Sequence, residues 1–99
     1  MAISTTQFDP ADYLSDAEGI VEYLTSAFES EDPAIITDAF GVVARAHGMS
    51  ALAAETGLTR QSLYKALSEG GNPEFVTILK VARALGIRLL PERIYTAAE

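Results

Sequence analysis

The 99-residue chain contains no cysteine and only one histidine, His47. The lack of cysteine excludes a disulfide scaffold and thiolate metal sites. Together the two shortages also remove Cys–His nucleophile pairs and sites that need two imidazole ligands. Long apolar runs are missing as well; none approaches the roughly 20 residues that cross a bilayer, so no membrane span is expected. The opening MAISTTQFDPADY carries neither the basic segment nor the apolar run of a signal peptide, and a cytoplasmic protein is the expectation. A further shortage is one of sign. Residues 1–44 hold nine acids (Asp9, Asp12, Asp16, Glu18, Glu22, Glu29, Glu31, Asp32 and Asp38) and no Lys or Arg, a local charge of −9. From residue 45 onward seven bases (Arg45, Arg60, Lys65, Lys80, Arg83, Arg88, Arg93) stand against five acids (Glu55, Glu69, Glu74, Glu92, Glu99), a balance of +2.

Spread evenly, the net charge of −7 would disfavour nucleic acid, because neutralisation of phosphates by Lys and Arg supplies most of the affinity for DNA. Segregated as it is, the charge predicts two differently charged surfaces. Solvation of the first helices is the plainer account of the same acids. What remains suits one small domain: 48% of the residues are hydrophobic, enough for a core with a modest stability margin.

The first dozen residues show no sustained period and contain Pro10, and read as an arm that docks through Phe8, Tyr13 and Leu14. Ser15 then reads as an N-cap, with Glu18 three residues on completing a capping box. Ala17, Ile20, Val21, Leu24, Ala27 and Phe28 follow at helical spacing as one apolar stripe. Asp32 and Pro33 supply the next N-cap and first-turn proline, Ile36, Ala39, Phe40 and Val43 the next stripe, and Gly48 its end. His47 falls in that last turn, where a histidine satisfies a terminal carbonyl or complements the dipole; a structural role is expected rather than a catalytic one. A short helix follows over 50–55, broken by Gly57, and Thr59 caps another that runs to about Leu67. In the turn Gly70, Gly71, Asn72 and Pro73, the last two read as N-cap and first helical residue, and Phe75, Ile78, Leu79, Ala82 and Leu85 form the last stripe before Gly86. Ile87 to Leu90 read as a short strand. The expected class is all-α: five helices with a possible C-terminal strand, divided as an acidic arm and first helix (1–31), a helix-turn-helix unit (32–90) and a tail (91–99).

The stretch MSALAAETGLTRQSLYKALS, residues 49–68, fits a helix-turn-helix for steric reasons. Gly57 stands where the turn needs positive φ. Ala53 is small where the two helices pass closely, and Leu52, Leu58 and Leu63 fall at the positions that bury between them. Thr56 departs from the pattern, at a place more often apolar. On the second helix, with Arg60 at zero and about 100° per residue, Tyr64, Gln61, Lys65 and Ser62 lie at roughly 40°, 100°, 140° and 200°, while Ala66, Leu63 and Leu67 lie at roughly 240°, 300° and 340°. The apolar arc anchors the helix. The opposite arc presents donors: Arg matches guanine O6 and N7, Gln matches adenine N6 and N7, and Lys suits phosphate or guanine. Thr59, Arg60, Gln61, Tyr64 and Lys65 are therefore the candidates for base edges, and Ser50, Ser62, Asn72 and Lys80 for phosphates. Taken singly, each reads as an ordinary solvated or edge-packing residue.

FDPADYL at 8–14, VARAHGM at 43–49, AAETGLTRQSLYKALS at 53–68 and, most specifically, GNPEFVTILKVARALGI at 71–87 together resemble the probable addiction-module antidote proteins related to HigA antitoxins, with a Cro/lambda-like helix-turn-helix. The resemblance covers about residues 8–90. It implies a homodimeric, operator-binding autorepressor whose partner is a small basic toxin of the RelE/ParE type, with Thr59 to Leu67 as the DNA-contacting helix. It carries no toxin-contacting residues over. For those the acidic half is the guide, because it would steer a cationic partner, and Asp9, Asp12, Asp16, Glu18 and Glu22 are the candidates. The alternatives are a stand-alone prophage-type repressor, whose acids are merely solvated, and a helix-turn-helix-like protein-interaction module that does not bind DNA. An enzyme is disfavoured by the inventory: the pairs Asp9 with Asp12, and Glu29 with Glu31 and Asp32, are acids with a structural reason to sit near helix N-termini. No metal or cofactor is expected. Dimerisation is expected through Ile87 to Ile94, unless that tail folds back on its own domain.

Overall fold

The caps legible in the sequence set most of the helix ends in the computed structural model, which describes residues 16–95. The helices are α1 (Ala17–Glu29), α2 (Pro33–His47), α3 (Met49–Thr56), α4 (Arg60–Ala66) and α5 (Phe75–Ala84). The all-α expectation holds: five helices are present and no strand occurs among the described residues.

The cap of α1 is Asp16, whose Oδ1 accepts the Gly19 N–H at 2.7 Å. Ser15, expected in that role, lies outside the described residues. A carboxylate caps through a charge-assisted bond and also faces the positive end of the helix dipole, and Glu18 thereby becomes a first-turn acid rather than the reciprocal member of a capping box. The α1–α2 turn is held by side chains. The Ser30 hydroxyl donates to the Ala27 carbonyl (2.6 Å) and accepts the Asp32 N–H (3.1 Å), while Asp32 Oδ1 accepts the Ala34 N–H (2.9 Å) just before Pro33 opens α2.

One residue separates α2 from α3. Gly48, at φ 110°, donates its N–H to Ala44 O (2.9 Å) and accepts the Leu52 N–H (3.0 Å) on its own carbonyl, so it ends one helix and begins the next. A residue with a Cβ would be strained at that φ. Gly57, at φ 78°, ends α3 by donating its N–H to Ala53 O (2.9 Å), and Thr59 Oγ1 then caps α4 by accepting the Ser62 N–H at 3.0 Å.

Two expectations are corrected at the far end. α5 begins at Phe75 with Glu74 as its N-cap and no side-chain cap bond, instead of at Asn72 and Pro73. Gly71 lies so close to the Lys65 and Ala66 carbonyls that a Cβ would collide with them, so the chain first runs across the end of α4 and turns into α5 beyond it. Ile87 to Leu90 form no strand. The Ile87 N–H returns to Ala82 O (2.8 Å) and the Gly86 N–H to Arg83 O (3.0 Å), which closes the helix end, and among the described residues no second strand offers a ladder to join.

All five helices feed one buried cluster centred on Phe40, Val43, Leu52, Leu63 and Val81, with Ile20, Leu24 and Ala27 of α1 included. The stripes are narrower than their sequence pattern. On α1, Val21 and Phe28 stay exposed, although the Phe28 ring meets Phe40 edge-on at 6.1 Å. On α5 the inward arc is the half-buried Ile78 with the buried Val81, Ala82 and Leu85, turned by about 50° from the expected stripe, which leaves Phe75 and Leu79 exposed. Gly41, in the middle of α2, is buried against the Leu67 carbonyl at the end of α4. No helix among the described residues is long and apolar enough to cross a membrane.

Candidate nucleic-acid interface

The turn from Gly57 to Thr59 lays α4 across α3, and burial fixes which face α4 shows. Leu63 is fully buried, Leu67 nearly so and Ala66 partly, whereas Arg60, Gln61, Ser62, Tyr64 and Lys65 are exposed. This is the partition expected from the helical angles. Leu52 is buried on α3, with Ala53 and Leu58 half-buried beside it.

Thr56, the one departure from the apolar pattern, has a function of its own. Its hydroxyl donates to Leu52 O at 2.8 Å and accepts the Leu58 N–H at 3.2 Å, tying the last turn of α3 to the residue after Gly57. An apolar side chain would fill the same space but leave the Leu58 donor to solvent. Sequence reading saw only the departure; the signal available was a threonine next to a turn glycine, a place where hydroxyls bond local backbone.

On the outer face, the Arg60 guanidinium lies 5.6 Å from the centroid of the Tyr64 ring. This contact narrows the positions Arg60 samples, and its signal in the sequence was the i, i+4 spacing of a cation and an aromatic residue. The helix start is partly self-satisfied. Thr59 Oγ1 accepts the Ser62 N–H, which leaves the threonine proton free to point outward, whereas the Ser62 hydroxyl already donates to Thr59 O at 3.0 Å. A phosphate contact from Ser62 therefore requires rotation of that hydroxyl.

Beside α4 lies a cleft of about 530 Å³ between the helix and the 68–74 loop. It brings Ser62, Lys65 and Asn72 together. Ser50, in the first turn of α3, and Lys80, on α5, are exposed but do not line it. Of the acidic candidates, Asp9 and Asp12 lie outside the described residues, Asp16 is the α1 cap, and Glu18 and Glu22 are exposed on α1. They are not gathered with the basic face: α1 packs chiefly on α2, while α4 packs on α3.

His47 Nε2 stands 3.1 Å from Glu55 Oε1, both side chains being partly exposed. The pair joins the end of α2 to α3, so the ring's partner is a side chain of the next helix rather than a terminal carbonyl. Among the described residues no group of three or more His, Cys, Asp or Glu side chains is arranged to hold a metal ion.

The fold and this face define a small all-helical protein that displays a long-armed, donor-rich helix outside a leucine anchor. The chain belongs to the family described as probable addiction module antidote protein, whose sequence model matches residues 4–92. A relative from Haemophilus influenzae, described as an uncharacterized protein, is 42% identical over 81 residues, which cover 82% of this chain and 84% of the relative. No solved structure matches the chain. The family inferred from the GNP-x-F and Gly-Leu-Thr-Arg motifs is therefore the right one.

Proposed function

We propose that the protein is the antitoxin of a toxin–antitoxin pair, a non-enzymatic cytoplasmic regulator that binds operator DNA as an autorepressor and neutralises a small basic toxin of the RelE/ParE type. In this reading α3 and α4 are a helix-turn-helix, and α4 enters the major groove. The observation that carries it is the two-sidedness of α4: Arg60, Gln61, Tyr64 and Lys65 are exposed on one face while Leu63 on the other is fully buried. A helix held that firmly by its inner face presents its outer donors in a defined orientation, as base readout demands.

Thr59, Arg60, Gln61, Tyr64 and Lys65 are the base-edge candidates, with Arg60 aimed by the Tyr64 ring. Lys65 and Asn72 share the cleft beside α4 and fit a phosphate of the flanking backbone, with Ser50, Ser62 and Lys80 as further phosphate contacts. One such helix reads one half-site, so a two-fold dimer is expected, with half-sites about 10 base pairs apart. Two residues of the segment foreseen as its interface, Ile87 and Leu89, pack on their own core. Phe75, Val76 and Leu79 stand exposed on α5 and supply an apolar surface for the dimer instead.

The test is binding of the purified protein to its own promoter DNA. Arg60→Ala and Gln61→Ala should each lose about 1–3 kcal/mol of specific binding and leave non-specific binding nearly unchanged. Equal affinity of the wild type for promoter and random DNA at physiological salt would remove the operator reading.

A further inference from the structure

A groove of about 440 Å³ runs between α1 and the segment that follows α5, walled by Val21 and Phe28 from α1 and by Leu90 and Ile94 from the tail, with Leu24 and Ile87 also lining it. Val21 is 48% exposed, Phe28 39%, Leu90 72% and Ile94 67%. These side chains line one depression, and a contiguous apolar surface of this kind on a small protein is characteristic of an interaction site.

Charge decides what fits it. Glu29, Glu31 and Glu92 line the same groove against one base, Arg88. From Asp16 to Asp38 the chain has seven acids and no Lys or Arg. A second copy of the chain seated here across a two-fold axis would bring this surface against itself, acids towards acids, and like charges meeting in an interface oppose association. Nucleic acid and anionic lipid are repelled by the same field. The complementary occupant is a protein segment with an apolar face flanked by cations.

We infer that this groove seats a cationic amphipathic helix of the toxin, its apolar side chains between α1 and the tail and its Lys and Arg side chains against Glu29, Glu31 and Glu92. The inference rests on the antitoxin reading and gives it a location. Because the groove shares no residue with α4, a toxin bound there leaves Arg60, Gln61, Tyr64 and Lys65 uncovered.

The test uses the full-length chain and the small basic toxin proposed above, sought as the product of a neighbouring reading frame, each purified and titrated by calorimetry. Leu90→Ser combined with Ile94→Ser, at exposed positions outside the core, should weaken toxin binding at least about tenfold while operator affinity and melting temperature stay at wild-type values. Glu29→Lys combined with Glu31→Lys should slow association at low salt, with the difference shrinking as salt is raised. Toxin affinity within about twofold of wild type in both double variants would overturn the groove assignment and leave the antitoxin reading standing. A wild-type chain that fails to bind the neighbouring protein would overturn both. If the Leu90/Ile94 variant changes the mass of the antitoxin in solution, the occupant is a second copy and the inference fails.

Discussion

Gly41 sits inside α2, where alanine would ordinarily be the better helix former by about 1 kcal/mol. The structure predicts the opposite sign for Gly41→Ala. A Cβ built at this position meets the Leu67 carbonyl oxygen at 2.5 Å and Arg45 Nη1 at 3.2 Å. The arginine can swing away, but the carbonyl belongs to the C-cap of α4, whose leucine side chain is fixed in the core. Restoring an ordinary carbon–oxygen contact of about 3.4 Å requires the end of α4 to retreat by about 1 Å, and overpacking of that kind costs about 2–3 kcal/mol. Set against the gain in helix propensity, the net loss is about 1–2 kcal/mol, which for a domain of this size lowers the melting temperature by roughly 4–16 °C. Thermal melts and urea titrations of the full chain read this directly, and an unchanged m-value would place the effect on the folded state. A melting temperature equal to or above wild type would refute the close approach of α2 and α4.

Further measurements address the reading face and its support. Tyr64→Phe keeps the ring beneath Arg60 and should preserve discrimination at the base pair that Arg60 reads, whereas Tyr64→Ala should lose about 0.5–1 kcal/mol there, in a competition assay across operator variants. Lys80→Ala, at an exposed position that does not line the cleft, should reduce the slope of log affinity against log salt by about one without altering sequence preference. Thr56→Val keeps the shape of the side chain but removes the hydroxyl bonded to Leu52 and Leu58, and should cost about 1 kcal/mol in urea denaturation; no change would mean that water serves the Leu58 N–H equally well.

The elements most legible in the sequence were those governed by near neighbours. Asp32 with Pro33 set the start of α2, Thr59 the start of α4, and Gly48, Gly57 and Gly86 the helix ends, each through bonds within a few residues of itself. The two faces of α4 were legible as well, because Leu63, Ala66 and the C-cap Leu67 share one arc and leave only one way to bury them. Reading failed where two local options competed. Asp16 rather than Ser15 caps α1, and Glu74 rather than Asn72 caps α5. Ile87 to Leu90 had the composition of a strand, but a strand needs a partner and the described residues offer none.

By itself, the sequence determined the helix count, most of the boundaries, the polarity of charge along the chain and the inner and outer faces of α4. These follow from capping, periodicity and the reach of side chains over one or two turns. The tertiary structure alone decided how much of each apolar stripe is covered: Val81 is buried while Leu79 is exposed, and Ile20 is buried while Val21 is not. It also decided that Gly41 touches the end of α4, that Tyr64 lies under Arg60, and that Val21 and Phe28 face Leu90 and Ile94 across a groove rimmed by acids. The physical reason is range. A periodic pattern shows that a helix has an apolar side, whereas the width of that side left open to a partner depends on which distant segments come to rest against it.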